Sequence, residues 1–337
     1  MRIATYNVEW FNTLFDDQGQ LIADDTWSSR WNVTKRQQTD ALGVVFQALD
    51  ADAVMIIEAP ETNRRRSTVR ALMQFAENFD LRAWAVLTGF ANATQQEIAL
   101  LFDPDVMQAE HDPKSSADAP LFDSKYRVDL DVDAMLETIR WSKPPLEVAL
   151  ETAHGPLRLI GVHAKSKAPH GAKDGAAALR IGIENRRKQL AQCVWLRKRV
   201  DQHLAAGDDL IVLGDFNDGP GLDEYEKLFG RSGIEIVLGE EGPGALYDPH
   251  ARMALGRRVG AMPTTARFKR KDQPYLQALL DYVMVSPRLR ARSPRWEIWH
   301  PFDHLRCYHD ETLREALLLA SDHFPVVLDL PPPVAVN

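Results

Sequence analysis

Short apolar runs that end in a polar residue recur along the whole chain and predict β-strands. The runs at 53–57, 157–162 and 210–213 are rich in branched apolar residues and are bounded by polar or turn residues, as in strands that are buried on both faces. Further strands are predicted at residues 2–7, 84–87, 98–102, 146–151, 279–286, 296–299 and 326–330. The pattern therefore predicts a protein rich in β-sheet.

Apolar residues spaced three and four positions apart predict the helices that cover these strands. Thr34 is followed by an apolar face at Leu42, Val45, Phe46 and Leu49, so a helix is expected to begin there. Other helices are predicted over residues 64–79, 176–204 and 312–319. The helix over 176–204 has a second, cationic face that includes Arg186 and Lys198, which we interpret as solvent-exposed. The segments 103–145 and 220–273 are expected to be mainly irregular.

The chain shows no internal repeat and no linker-like stretch, so the simplest organisation is one domain over residues 1–330 followed by a Pro-rich tail at 331–337. Its contents of 45% hydrophobic and 26% charged residues are typical of a soluble globular protein. No long apolar segment begins the chain, and a cytoplasmic monomer without membrane contact is the resulting expectation.

Charge and cysteine content narrow the function further. A formal net charge of -8 argues against a protein that coats nucleic acid through its overall charge, although a local basic groove is compatible with it. The two cysteines, Cys193 and Cys307, lie far apart with no second cysteine or histidine at ligand spacing. Neither a disulfide framework nor a structural zinc site is therefore expected.

Polar residues with metal-binding or acid–base chemistry stand at the ends of the predicted strands. Any one of them has an ordinary explanation, such as a turn residue, a hydrogen-bonded core histidine or the partner of a basic group. Together they form a set of carboxylates, amides and imidazoles that suits Mg²⁺ or Mn²⁺ better than zinc. The set comprises Asn7, Glu58, His163, Asp215, Asn217, Asp281, Asp322 and His323.

The motifs around these residues resemble, in order, those of the endonuclease/exonuclease/phosphatase superfamily with the DNase I-like fold. They read TYNVEWF, MIIE, GVHAKSK, LGDFND, LDYVMVS and SDHFPV, and span nearly the whole chain. The resemblance implies an α+β fold, a four-layered α/β sandwich in which two mixed sheets pack face to face with helices outside. It also implies metal-dependent hydrolysis of a phosphate ester.

The resemblance implies a role for each motif residue. Asn7, Glu58 and Asp322 would bind Mg²⁺, with Mn²⁺ able to replace it. Asp281 would hold His323, and either His323 or Asp215 would take the proton of the attacking water. His163 and Asn217 would bind the phosphoryl oxygens. Such chemistry requires an aligned water and compensation of the phosphoryl charge more than covalent participation by the protein.

Departures from the family's branches favour a bacterial nuclease-like member. Ala59-Pro60 follows the metal-binding Glu58 where the abasic-site endonucleases have Thr-Lys, and the Trp-x-x-Asp-Arg signature of inositol polyphosphate phosphatases is missing. HAKSK resembles the HLKSK of the nuclease-like members. WSKPPLEV resembles their Arg-Pro-Pro-Leu strand, with Lys143 in place of arginine.

Two basic clusters are candidates for binding substrate phosphate. One contains Lys165 and Lys167 after His163, and the other contains Arg267 and Lys269 before Asp281. Both could rim one cleft, or both could be solvated loops that offset an acidic chain. Phe268 and Tyr275 are the nearby aromatic residues that could stack on bases.

Three functions are compatible with the sequence. A divalent-metal-dependent phosphodiesterase acting on DNA or RNA by in-line attack of water is favoured. A phosphatase or phosphodiesterase acting on a small or lipid-linked phosphate ester is an alternative. A catalytically silent phosphate-binding scaffold is the third, but it has no need of both His163 and His323 beside Glu58 and Asp215.

Overall fold

Two mixed β-sheets form the framework of the molecule. A computed structural model describes residues 1–130, 136–169, 171–219, 230–256, 262–270 and 273–333. The first sheet contains, in spatial order, β14 (Arg295–Ile298), β15 (Val326–Asp329), β1 (Arg2–Asn7), β2 (Ala53–Ala59), β4 (Glu97–Phe102) and β3 (Ala85–Thr88). The second contains β13 (Asp281–Val285), β10 (Leu210–Asp215), β9 (Gly155–His163), β8 (Leu146–Thr152) and β5 (Met107–His111).

Each sheet has one parallel pair at its centre, β1 with β2 and β10 with β9, and antiparallel pairs elsewhere. Two small sheets stand apart, β6 (Tyr126–Val128) with β7 (Glu137–Ile139) and β11 (Ala266–Arg270) with β12 (Gln273–Ala278). The helices are α1 (Lys35–Leu49), α2 (Thr68–Asn78), α3 (Gly175–Ala206), α4 (Gly233–Leu238), α5 (Pro249–Leu255), α6 (Pro287–Ala291), α7 (Leu305–His309) and α8 (Glu311–Ala320).

Three apolar clusters hold the layers together. The middle cluster lies between the two sheets and joins residues such as Met55 and Leu100 of the first sheet to Leu159 and Leu213 of the second. The outer clusters pack α1, α2 and α8 on the first sheet, and α3, α4 and α5 on the second. The order helix, sheet, sheet, helix confirms the predicted four-layered sandwich.

Local signals set the helix boundaries. Thr34 caps α1 in a reciprocal pair of hydrogen bonds with Gln37, as its sequence position predicts. The start expected at residue 64 for the next helix was wrong, because the Asn63 side chain accepts from the backbone N–H groups of Arg65 and Arg66. That turn delays the helix until Ser67, whose hydroxyl caps α2.

The described residues of 103–145 are mainly irregular, as expected, but they also contain the strands β5, β6 and β7, which are too short or too polar for their periodicity to show. One other expectation was wrong. The predicted solvent face of α3 is partly buried: the Arg186 side chain is 1% exposed and its guanidinium binds Asp218 at 2.9 Å.

No helix among the described residues is long and apolar enough to cross a membrane. Residues 334–337 of the Pro-rich tail lie outside the described residues, and so does Lys271, a further basic residue that follows Arg267 and Lys269 in the sequence. The single-domain organisation stays a prediction.

Candidate active site

The two sheets bring the polar strand ends together at one edge of the sandwich. In the first sheet, β1 ends at Asn7, its parallel neighbour β2 carries Glu58 near its end, and Asp322 precedes β15 on the other side. In the second sheet, Asp281, Asp215 and His163 are paired directly across three adjacent strands. The register of the strands therefore places six of the eight predicted residues at one edge.

Two buried hydrogen bonds join the sheets at this edge. Asn7 Nδ2 donates to Asp215 Oδ2 at 3.0 Å. His323 Nδ1 lies 2.7 Å from Asp281 Oδ2, which fixes the orientation of the imidazole. The site thus requires both sheets, and residues separated by some two hundred positions in the sequence act as neighbours.

The turn after β10 shapes the surroundings of Asp215. Asn217 adopts a left-handed conformation with φ of 48°. Its backbone N–H donates to Asp215 Oδ1 at 2.7 Å, and its side-chain Nδ2 lies 3.1 Å from both Asp215 Oδ2 and the carbonyl oxygen of Ala164. Asparagine tolerates this backbone conformation better than most residues, and here its amide also holds the carboxylate.

Glu58 stands at an irregularity in β2. The pairing of β2 with β4 shifts between Ile57 and Ala59, and Glu58 has φ of 64°. A glutamate in this region costs on the order of 1–3 kcal/mol, and such strain is concentrated at functional sites. The Trp10 backbone N–H donates to Glu58 Oε2 at 2.9 Å and holds the side chain in place.

These residues open into a cleft of about 1160 Å³. Seven of the eight predicted residues line it; Asp281 lies behind His323. Lys165 and Lys167 also line it, whereas Arg267 and Lys269 do not. The structure therefore brings only the first basic cluster into the cleft.

The charge of Lys167 is already partly compensated. Its Nζ lies 2.6 Å from Asp218 Oδ1, and Arg186 binds the same carboxylate. Lys165 donates its backbone N–H to Gln192 of α3 at 2.8 Å, while its side chain lines the cleft. Helix α3 thus holds the loop that carries both lysines.

The surroundings drive the pKa values of the two central residues upward. Burial, reinforced by the charge of Asp281, raises the pKa of Asp215 to about 7. Burial alone would lower the pKa of His323, but the charge and hydrogen bond of Asp281, with the charges of Asp215 and Asp322, raise it well above its usual value. His323 is therefore an imidazolium at neutral pH, and Asp215 holds a proton more tightly than an ordinary aspartate.

Lys143 and Glu9 are site residues that the sequence reasoning did not single out. Lys143 Nζ lies 3.0 Å from His163 Nε2. Burial lowers the pKa of Lys143 to about 8, against the charges of Glu58 and Asp215. The same burial, with the charges of Lys143 and His323, lowers the pKa of His163 well below its usual value. His163 is therefore neutral, and it accepts the Lys143 hydrogen bond.

Glu9 lines the cleft beside Asp322. Its carboxylate forms a salt bridge with Arg30 and accepts the Asp322 backbone N–H at 3.1 Å. Burial and the charges of Glu9 and Glu58 raise the pKa of Asp322 to about 7, although the positive charge of His323 opposes this. The signal for Glu9 was its position in TYNVEWF, two residues after Asn7, and that for Lys143 was its place directly before Pro144.

Asn7, Glu58 and Asp322 fit a divalent cation. Asn7 Oδ1 is buried and has no hydrogen-bond partner among the described residues, a state that is costly unless a ligand satisfies it. Glu58 and Asp322 add two carboxylates whose mutual repulsion a cation would relieve. These three oxygen donors are of the kind that Mg²⁺ and Mn²⁺ prefer.

Asp215, Asp281 and His323 are a different set of potential ligands, whose ligand atoms all lie within 4.8 Å of one another. These groups are already engaged: Asp281 with the His323 imidazole, and Asp215 with the amides of Asn7 and Asn217. Their arrangement matches an acid–base cluster better than a metal site, because a metal would compete with each of these hydrogen bonds.

Comparison with known proteins places these observations in context. Residues 141–323, more than half of the chain, match the model of the Endonuclease/Exonuclease/phosphatase family. Truncated TDP2 from Caenorhabditis elegans has a similar structure, with a TM-score of 0.52 at 13% identity over 98% of this chain and 97% of that one. The 3′ phosphatase NExo from Neisseria, bound to a product DNA hairpin, has a TM-score of 0.50 at 15% identity over 98% and 99% of the two chains. No curated protein matches the chain.

Proposed function

The chain belongs to the endonuclease/exonuclease/phosphatase family and is a phosphoester hydrolase, and from this premise we propose that it is a Mg²⁺- or Mn²⁺-dependent phosphodiesterase acting on DNA or RNA. The observation that carries the proposal is the pair of hydrogen bonds across the sheets, Asn7 to Asp215 and His323 to Asp281. They place a candidate metal ligand, a carboxylate base and an imidazolium at one end of an open cleft.

Asn7, Glu58 and Asp322 are the proposed metal ligands. The orphaned Asn7 Oδ1 and the strained, half-buried Glu58 support this assignment. A divalent cation bound there would polarise the phosphoryl group and offset the charge that develops on its oxygens. Glu9, through the Asp322 backbone and Arg30, would keep Asp322 directed into the cleft.

Asp215 is the proposed general base. A base works best when its pKa lies near the working pH, and the pKa of Asp215 is raised to about 7. His323 is already protonated at that pH, so it cannot accept the proton of the attacking water. The amides of Asn7 and Asn217 would keep the Asp215 carboxylate in one orientation.

His323, Lys143 and Asn217 are the proposed donors to the phosphoryl oxygens. The imidazolium of His323 turns Nδ1 towards Asp281, which leaves its Nε2–H to donate. Lys143 donates to His163 Nε2 through one N–H, and its ammonium has two further N–H groups. His163 would then position Lys143 rather than contact phosphate itself. Preorganised donors of this kind are worth about 10²–10³-fold in rate.

Two observations support a nucleic-acid substrate. The cleft is large and is rimmed on one side by Lys165 and Lys167, next to the proposed phosphate site. The similar 3′ phosphatase from Neisseria was solved with a DNA hairpin. A free nucleic acid end or a single strand would bring its phosphates along this rim.

The apolar wall of the cleft favours a second candidate, a small phosphate ester with an apolar group. Phe268, Leu276 and Leu280 line the side towards β11 and β12, and Ala178 and Leu179 line the side towards α3. Such walls could enclose an apolar substituent next to the phosphate.

Hydrolysis of end-labelled single- and double-stranded DNA and RNA, each with Mg²⁺, Mn²⁺ or EDTA, tests the proposal. Cleavage that requires metal and is lost in Asp215→Ala and His323→Ala is the expected result, and the product ladder separates endonuclease from exonuclease action. Metal-dependent turnover of a small phosphodiester without cleavage of any polymer would replace the main proposal with the second candidate.

A further inference from the structure

The hairpin of β11 and β12 has two faces of different chemistry. Phe268, Leu276 and Ala278 face the cleft, where the Phe268 ring packs edge-on against His323 with centroids 5.6 Å apart. Side chains alternate along a strand, so the neighbouring residues Arg267 and Lys269 point to the outer face. That outer face lies outside the site described above.

Cations and aromatic rings interleave on this outer face. The Arg267 guanidinium lies 3.6 Å from the Tyr275 ring centroid and 5.5 Å from that of Phe302. Lys269 Nζ lies 4.0 Å from the Trp31 ring centroid. Tyr275, Phe302 and Trp31 are 45%, 44% and 74% exposed. We call this set, Trp31, Arg267, Lys269, Tyr275 and Phe302, the outer platform.

The loop that carries Trp31 is held in place although the tryptophan is exposed. Ser28 N–H donates to the Val33 carbonyl oxygen at 2.9 Å, which closes the turn. Arg30, directly before Trp31, forms a salt bridge with Glu9 and donates to the Leu318 carbonyl oxygen at 3.1 Å. The Trp31 ring is therefore exposed on a segment that a backbone hydrogen bond and a salt bridge hold in place.

The cations of the outer platform have no acidic partner in the part of the chain that the structure describes. Within the described residues, Arg267 and Lys269 form no salt bridge, although the chain has an excess of acidic residues. Lys269 covers one side of the Trp31 ring, and an exposure of 74% leaves the opposite ring face open. An open aromatic face beside an unpaired cation suits a base attached to a phosphate.

The outer platform is continuous with the candidate active site. The Arg267 backbone N–H donates to the Asp322 carbonyl oxygen at 2.7 Å, and Ala266 pairs with His323 as an isolated bridge. One strand of the hairpin therefore starts at the catalytic histidine and leads to Lys269 and Trp31. A nucleic-acid strand that leaves the cleft past His323 would meet this surface.

We propose that the outer platform is an accessory site that binds unpaired nucleotides of the substrate strand, with Trp31 stacking on a base and Lys269 and Arg267 binding phosphates. This inference rests on the proposed function, because it takes the occupant of the cleft to be a nucleic acid. Bases inside a duplex are stacked on each other and cannot reach Trp31, so the site selects single strands, overhangs and frayed ends.

Binding in EDTA, where no metal-dependent cleavage occurs, tests the accessory site apart from catalysis. Fluorescence anisotropy is measured with a labelled thymidine trinucleotide, a single strand of about 15 nucleotides and a duplex of the same length, a size chosen from known single-strand sites. The variants are Trp31→Ala and Lys269→Ala. Matched controls are Trp84→Ala, an exposed tryptophan directly before β3, and Lys198→Ala, an exposed lysine of α3.

Trp31→Ala is expected to weaken binding of the long single strand about tenfold or more. The long strand should then bind only slightly more tightly than the trinucleotide. Lys269→Ala should weaken binding of the long strand less, and the two effects should not add, because the side chains are in contact. Both controls should bind like the parent. A melting temperature equal to that of the parent shows that each variant is folded.

Three results would overturn the accessory site. The first is equal affinity of Trp31→Ala and Trp84→Ala for the long single strand, and the second is a loss of affinity in Trp31→Ala that is as large for the duplex as for the single strand. The third is no binding of any oligonucleotide by the parent. The metal-dependent cleavage assay tests the nuclease proposal independently of the accessory site. Trp31-dependent binding without cleavage of any polymer would retract the nuclease and keep the accessory site. Cleavage indifferent to Trp31 would retract the accessory site alone.

Discussion

At the scale of single residues, the candidate site separates its acid and base by environment. Asp215 and His323 lie in one buried cluster, yet the Asp281 carboxylate keeps His323 protonated and the same negative charge raises the pKa of Asp215. Groups whose surroundings determine their protonation in this way divide the roles of proton acceptor and hydrogen-bond donor.

Lys143 gives the site an alkaline limit. Its pKa is lowered to about 8 by burial, so the parent should lose its ammonium donor above that pH, and kcat/KM should fall there by up to about tenfold per pH unit. Lys143→Arg keeps a positive charge at every accessible pH, and its profile should stay level to higher pH. Identical alkaline limbs in the two proteins, measured on one substrate from pH 6 to pH 10, would refute this role.

Lys143 should also lower the unfolding free energy of the protein at neutral pH. Because its pKa is lower in the folded protein, the unfolded chain binds more protons between about pH 8 and pH 10.5, so stability contributed by this residue rises with pH in that window. Lys143→Met should therefore have an unfolding free energy about 1–3 kcal/mol higher than that of the parent at pH 7 in EDTA. At pH 10 the two unfolding free energies should lie closer together. Urea denaturation at both pH values measures this; a less stable variant at pH 7 contradicts it.

The sequence identified site residues that end apolar strands and missed those that tertiary structure brings in. Asp215 and His163 stand out because a charged or polar residue at the end of a buried strand needs a partner. Lys143 was noted only as the replacement for an arginine before two prolines, and only the fold places its ammonium next to His163. Arg267 and Lys269 were candidates either for the cleft rim or for a solvated loop, and strand alternation turns them to the outer face.

At the scale of elements, close contact between β9 and β10 fixes the positions of His163 and Asp215 at the ends of these strands. Gly214 precedes Asp215 with φ of 135°, and a Cβ built there would lie 2.1 Å from the Val162 carbonyl oxygen. Val162 is in turn directly before His163, so β9 and β10 approach at the point where both deliver a site residue. Only glycine permits this approach.

Gly214→Ala should destabilise the protein by about 3 kcal/mol or more, because the new methyl group meets backbone rather than a flexible side chain and the left-handed conformation is strained. Gly182→Ala is the control of opposite sign: its Cβ would meet nothing within 4 Å, and alanine within α3 should add about 0.5–1 kcal/mol. Equal unfolding free energies for the two variants in urea would show that the close approach of β9 and β10 does not require glycine at position 214.

Strand and helix positions were predictable where the periodicity was strong. The long strands and α1 and α3 lie close to their expected positions because each buries a continuous apolar face. The short strands β6 and β7, and the β11–β12 hairpin, carry mixed polar sequences that gain their structure from pairing. Pairing with a distant or equally polar strand leaves little periodic signal in the sequence itself.

At the scale of the whole molecule, the proposed metal site should oppose folding when no cation is bound. Asn7, Glu58, Asp322 and Glu9 crowd acidic and carbonyl oxygens at the edge of a chain with a net charge of -8. A ligand that binds only the folded protein stabilises it by RT ln(1 + L/Kd) at free ligand concentration L, so the added stability rises with the logarithm of that concentration once it exceeds Kd. The molecule should therefore respond to divalent cations as a whole.

Mg²⁺ or Mn²⁺ should raise the melting temperature, with about 2.7 kcal/mol of added stability at a hundredfold excess over Kd. Glu58→Gln should remove most of this rise in melting temperature, and added monovalent salt should not restore it. Glu77→Gln, an exposed carboxylate on α2, is the control and should respond like the parent. A melting temperature that is indifferent to both metals in the parent protein would remove the proposed metal site.

The proposed chemistry is tested most directly by the rate of cleavage of a labelled oligonucleotide as Mn²⁺ is titrated, for the parent, Asp215→Asn and Glu58→Gln. Asp215→Asn should lose about 10²–10⁴-fold in rate at every Mn²⁺ concentration. Glu58→Gln should need at least about tenfold more Mn²⁺ to reach half of its maximal rate. Parent-like cleavage by Asp215→Asn, or an unchanged Mn²⁺ requirement in Glu58→Gln, would contradict the proposed chemistry.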